Sequence, residues 1–145
     1  VIHVNAYGGY LIGVPKIPAR EQALSALSEK YGSESRLGPE QIPSYLRERQ
    51  AIDRQYPVPR ATLDDYMRHL LHILKVAGPE HVGIGADWDG GGGVVGLEDV
   101  SALPEITQRL RQAGYTEQDI RNIWGGNVLR VLRAVQGPAG KAEAK

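Results

Sequence analysis

The stretch HVGIGADWDG, residues 81–90, decides how this chain is read. Its apolar part, Val82 to Ala86, is too short for a helix and is spaced by Gly83 and Gly85, so it reads as a short buried strand. Asp87 stands where the strand runs out, and Gly90 to Gly93 follow as a glycine loop. Counting by twos along the strand, Asp87 shares a face with Gly83 and Gly85. In a parallel α/β barrel the inner face delivers its last residue into the catalytic mouth, because active sites form at the C-terminal ends of the strands. A carboxylate there can accept a proton or partner a metal-bound water. Asp87 and Asp89 also fit the commoner use of aspartate before glycine, as caps of a turn.

Working outward, VIHVNAY at residues 1–7 gives a second strand, with Ile2, Val4 and Ala6 on a buried face and His3, Asn5 and Tyr7 on a polar one. Gly8-Gly9 ends it. A polar second face on a strand implies that this face looks into something other than an oily core. The residues from about 16 to 60 are polar and punctuated by prolines, and we read them as a helical excursion, with helices around Arg20 to Lys30 and near Tyr45 to Arg54. Thr62 reads as the N-cap of the strongest helix, which carries Leu63, Tyr66, Met67, Leu70, Leu71, Ile73 and Leu74 and closes at Gly78-Pro79. After HVGIGA come helices at about Leu103 to Ala113 and Glu117 to Trp124, the latter capped by Thr116, interrupted by Gly125-Gly126 and continued by NVLRVLRAV. The tail GPAGKAEAK is polar and expected to be mobile. Strand, helices, strand, helices is the order of an α/β fold with parallel strands and helices packed outside.

Composition narrows the function classes. The 145 residues carry 17 basic and 17 acidic side chains, so no net field draws in nucleic acid or an anionic membrane surface. No apolar run approaches the ~20 residues of a membrane span. With no cysteine there are no disulfides, thiolate zinc sites or cysteine nucleophiles, and no redox clue to compartment. Met67 is the single methionine and residue 1 already reads as strand, so the sequence is expected to begin inside a larger protein.

Other motifs say less. Asp87, Asp89, Gly92, Val94 and Glu98 fall at the calcium-loop positions 1, 3, 6, 8 and 12, but Gly91 stands at position 5 and a strand stands where the entering helix belongs. The glycine run lacks the Lys and Ser or Thr of a phosphate loop. His69 and His72 have a chelating spacing on the long helix without a third ligand, so they read as rim or solvent-facing residues. His81 reads as structural, and His3 as a hydrogen-bonded interior residue.

Together, HVGIGADWDG, GLEDV (96–100) and the closing GGNVLRV (125–131), with VNAY (4–7) and LDDYMRHLLHILKVAG (63–78), resemble the C-terminal part of the membrane (renal) dipeptidase family, the M19 metallopeptidases. The resemblance implies a (β/α)8 TIM barrel of the metal-dependent hydrolase type, with two zinc ions, that hydrolyses dipeptides; some bacterial members accept a D-residue at the C-terminal side. In that family a carboxylate bridges the zincs, a metal-bound hydroxide attacks the peptide carbonyl, and an Asp at the end of the last strand handles the proton and contacts substrate. Asp87 matches that residue, Tyr7 matches a tyrosine near the substrate pocket, and Trp88 replaces the usual Phe or Tyr. The early His-x-Asp pair, the bridging Glu, the two later metal histidines and a substrate-binding Arg of the family find no match here. The resemblance therefore assigns no metal ligand to these 145 residues.

Since such a barrel takes about 250 residues, residues 1–135 are expected to be its C-terminal part and 136–145 a tail. The chain alone is then expected to be inactive and to bind no zinc. Its implied partners are a dipeptide, the N-terminal part of the barrel and, since the family often dimerises, a second copy. Two other readings stand beside this one: a non-catalytic scaffold that kept the barrel's C-terminal surface, and a different amidohydrolase-type enzyme.

Overall fold

Two short strands run parallel at the heart of the computed structural model, which describes residues 1–136. Strand β1 (Ile2–Asn5) pairs with β2 (Val82–Gly85) in the register Ile2 with Val82, His3 with Gly83, Val4 with Ile84 and Asn5 with Gly85. Between them along the chain come a helical turn α1 (Gly8–Leu11) and the helices α2 (Pro18–Tyr31), α3 (Ile42–Gln55) and α4 (Leu63–Ala77). After β2 come α5 (Leu103–Gln112), α6 (Glu117–Arg121) and α7 (Asn127–Gln136), a helix-rich α/β arrangement. All but the first residue of the expected tail lies outside the described residues.

The chain divides into two compact units. One comprises, of the described residues, Val1–Ile12 with Arg60 to Gln136, and it holds both strands. Its dominant helix is α4. Thr62 accepts from the Asp65 backbone N–H while the Asp65 carboxylate accepts from the Thr62 N–H, a reciprocal cap for donors that the first helical turn leaves unpaired. The Thr62 N–H and, after it, the Thr62 hydroxyl both donate to Asp65 Oδ2, and they hold the Asp65 carboxyl below its ordinary range. Leu63, Tyr66, Met67, Leu70 and Leu74 recur at helical spacing and are buried. They join Val4, Ala6, Val82, Leu97, Ile106, Leu110 and Ile123 in one core. Burial pushes the Tyr66 phenol up to about 12, and its hydroxyl donates to the Val4 carbonyl at 3.2 Å, fixing α4 to the first strand.

The far end of this unit is tied differently. Thr116 and Asp119 repeat the reciprocal cap at α6. The expected helix to Trp124 stops at Arg121, and Asn122–Gly126 form a wider turn before α7. Asn127, 2% exposed, donates through Nδ2 to the carbonyls of Pro79 at 2.7 Å and Val82 at 2.9 Å, which pins the start of α7 to the start of β2. A buried amide is tolerated because it is hydrogen-bonded.

The other unit, Gly13–Pro59, is a helix pair. Pro18 and Pro43 sit in the first turns of α2 and α3, where a missing N–H costs nothing, so both helices start earlier than the sequence reading placed them. Leu27 and Tyr45 are its buried residues, Tyr45 meets Tyr31 edge-on at 5.6 Å, and Lys30 and Arg20 pair with Glu48 and Asp53, each at 2.7 Å.

Two expectations about the first strand need correction. It spans Ile2–Asn5 and gives way to a helical turn at Gly8 rather than to a simple stop. Val4 and Ala6 are buried, but Ile2 is 52% exposed, because α4 reaches the strand at Val4 and no described element covers its first residue.

Candidate active site

The site lies where both strands end. In a parallel pair, residues in register share a face, so His3 and Asn5 stand with Gly83 and Gly85. A side chain at Gly83 would collide with the His3 ring, its Cβ lying 2.8 Å from Nε2, so glycine here lets the imidazole lie across the neighbouring strand. His3 is exposed on that face, beside a groove it shares with Val128 and Leu132 of α7, and is not the interior hydrogen-bonded residue expected.

Beyond β2 the backbone turns at Asp87, the one non-glycine residue with positive φ among those described (φ 56°). This left-handed conformation is tolerated by Asp more readily than by most residues. It is held by the loop that follows: the Asp87 carbonyl accepts from the N–H of Gly92 at 2.7 Å and of Gly90 at 3.1 Å. Gly92 is obligatory, as a Cβ there would sit 2.1 Å from the Ala86 carbonyl oxygen. Gly93 N–H then donates to Ala6 O at 3.1 Å, and Trp88 Nε1 to Leu97 O at 3.1 Å, so the glycine loop is anchored at both ends. The Asp87 side chain makes no capping hydrogen bond to this turn, against the cap use weighed for it; its backbone makes the turn, and the residue is exposed at the strand ends.

That carboxylate is oriented from β1. Asn5 Nδ2 donates to Asp87 Oδ2 at 2.9 Å, and Asn5 Oδ1 accepts from the Tyr7 N–H at 2.6 Å. Both donor and acceptor of the Asn5 amide are engaged, which fixes which end faces Asp87. No described residue donates to Asp87 Oδ1. Tyr7, 43% exposed, meets Tyr10 edge-on at 5.0 Å, and a Cβ at Gly91 would touch its ring at 3.7 Å, so the phenol lies beside the glycine loop. The structure therefore gathers Asp87 and Tyr7 on one rim, with Asn5 between them. Asn5 was not singled out from sequence as a site residue; the signal was its place on the polar face between His3 and Tyr7.

The remaining candidates are engaged elsewhere. His69 Nε2 lies 3.0 Å from the Leu11 carbonyl, and His72 is exposed. Glu98 accepts from the Gly96 N–H at 3.0 Å, and the segment entering Asp87 is a strand, so the calcium-loop spacing is not matched by a calcium-loop structure. Among the described residues no three of His, Cys, Asp and Glu cluster as a metal site requires. Asp87 has one oxygen already hydrogen-bonded and no second ligand beside it, so these residues do not by themselves fit a zinc centre. No helix among the described residues is long and apolar enough to cross a membrane.

Aligned regions are 48% identical to an uncharacterized dipeptidase of Schizosaccharomyces pombe over 79 residues and 40% identical to dipeptidase tcpJ of Claviceps purpurea over 81 residues. These regions cover 53% and 55% of this chain and 19% of each relative. The crystal structure of the probable dipeptidase PvdM from Pseudomonas aeruginosa is similar with a TM-score of 0.58 at 29% identity, over 90% of this chain and 36% of that one. The chain spans well under two thirds of the proteins it matches. Over residues 1–145 the sequence matches the family described as membrane dipeptidase (Peptidase family M19), and the chain belongs to that family.

Proposed function

We propose that this chain is the C-terminal part of a (β/α)8 dipeptidase barrel and supplies the proton-handling side of its active site. The observation that carries this is the Asp87 carboxylate, projected from the end of β2 by a left-handed turn, held through Oδ2 by Asn5 and left with Oδ1 unengaged by any described residue. A carboxylate fixed at one oxygen and open at the other can accept a proton from the attacking water and return it to the leaving amine. Its position at the C-terminal ends of parallel strands is where such a barrel does its chemistry. Tyr7, exposed on the same rim, would bind the dipeptide beside it.

Two zinc ions would have to be held by residues other than those described, because the described donor set does not make a metal site. The chain alone is accordingly inactive in this reading, and its work depends on the rest of the barrel. An exposed apolar face on α7, made by Val128, Leu129, Val131, Leu132 and Val135, supports that dependence, since it offers a surface for covering structure to pack on.

The test is made on the whole metal-loaded protein. Asp87→Asn keeps the size and the turn but removes the base, and should lower kcat for dipeptide hydrolysis about 10²–10⁴-fold while zinc content, measured by elemental analysis, stays the same. A variant as fast as the parent would take Asp87 out of the reaction.

A further inference from the structure

Asn5 acts on the reaction through Asp87, and we infer that it is a positioning residue of the site; this rests on the assignment of Asp87 above. Three observations lead there. Asn5 and Asp87 are 82 positions apart in sequence, yet their side chains meet at 2.9 Å, so the fold and not a local turn makes this contact. Asn5 is itself held, because its Oδ1 takes the Tyr7 N–H at 2.6 Å; the Nδ2 end must then face Asp87. Its register partner is Gly85, and a Cβ on Gly85 would lie 3.3 Å from the His3 Cβ and 3.2 Å from the Val4 carbonyl, so that face of the strand pair is kept free of bulk beside Asn5.

The consequence concerns rotation of the carboxylate. Asp87 sits on exposed backbone in a left-handed turn, its carboxylate lies against the Cα of Gly90, and among the described residues the Asn5 amide is its hydrogen-bond donor. With Oδ2 taken by Asn5, the carboxylate is aimed and Oδ1 is the oxygen presented to a reacting group. Without Asn5 the carboxylate would sample orientations of which few are productive. Misplacement of a catalytic group by about 1 Å costs on the order of 10²-fold.

The experiment is a double-mutant cycle on the whole zinc-loaded protein with a dipeptide substrate. Asn5→Ala should lower kcat about 10- to 100-fold, with KM and zinc content changed less than about twofold. Asn5→Asp keeps the acceptor for the Tyr7 N–H and removes the donor, so it should lose at least as much; it separates the contact to Asp87 from support of the Tyr7 turn and serves if the alanine variant does not fold. In an Asp87→Asn background, Asn5→Ala should then cost less than about twofold, because residues that act as a unit are not additive. If the two losses multiply, Asn5 works independently of Asp87 and the inference fails. It fails equally if both Asn5 variants keep parental kcat while Asp87→Asn is slow. An unchanged rate in Asp87→Asn itself would sink the underlying assignment instead, a result these other outcomes cannot mimic.

Discussion

Helices α4 and α7 carry the same kind of pattern and meet opposite fates. Each has five apolar residues at helical spacing on one face: Leu63, Tyr66, Met67, Leu70 and Leu74 in α4, and Val128, Leu129, Val131, Leu132 and Val135 in α7. The first stripe is buried at every position; the second is exposed at every position. Periodicity reports that a helix has a face to cover, and says nothing of where the cover comes from. For α4 it comes from the strands and α5 within the same unit. Over α7 the described chain leaves a groove of about 300 Å³ lined by Val1, His3 and four of its own residues, among them Val128 and Leu132. The capping differs as well: α4 has its reciprocal cap, whereas α7 is fixed by one buried amide at its first residue.

The largest effect that would break this contrast is at the centre of α4. Leu70 is 0% exposed, and Leu70→Ala should cost about 2–5 kcal/mol, transfer plus cavity. A loss of unfolding free energy under about 1 kcal/mol by urea titration would mean that α4 is no better packed than α7. Next comes the anchor. Asn127→Ala leaves two carbonyls near the start of β2 without their donor, and should cost about 2–3 kcal/mol. If it is neutral, α7 is held by something other than Asn127, and the contrast in how the two helices are tied disappears.

The sequence was informative where the cause of structure is local. Thr62, Asp65, Thr116 and Asp119 announce their helices because a capping hydrogen bond spans three residues, and HVGIGA announces a strand by its brevity and glycines. Asp87 stands out in the sequence by its place at the end of a strand, and Tyr7 by the resemblance to the dipeptidases. What brings them together is the parallel register of β1 with β2, which depends on contacts across some eighty residues and leaves no local trace. Asn5 illustrates the limit. Its polarity marked a face, but its partner is set by that register. Ile2 illustrates the reverse error: alternation placed it with Val4 and Ala6, and only the reach of α4 decides which of the three is covered. The wide turn at Asn122–Gly126 was visible as two glycines, but not as a change of helical pitch that sets the buried Asn127 against β2.

The smallest expected effect is the one that sharpens the comparison most. Leu132 is 44% exposed, so in the 145-residue chain Leu132→Ala removes a side chain already half in water and should shift stability by no more than about 0.5 kcal/mol. The same substitution in the whole protein is a different measurement. If the remainder of the barrel packs on α7, Leu132 becomes a core residue there, and its truncation should cost about 2–5 kcal/mol, as Leu70 does. Equal small losses in both would show that α7 stays bare in the whole protein and that its stripe serves some other contact. A large loss only in the whole protein would show that the two helices obey one rule, with the cover of α4 encoded within these residues and that of α7 beyond them.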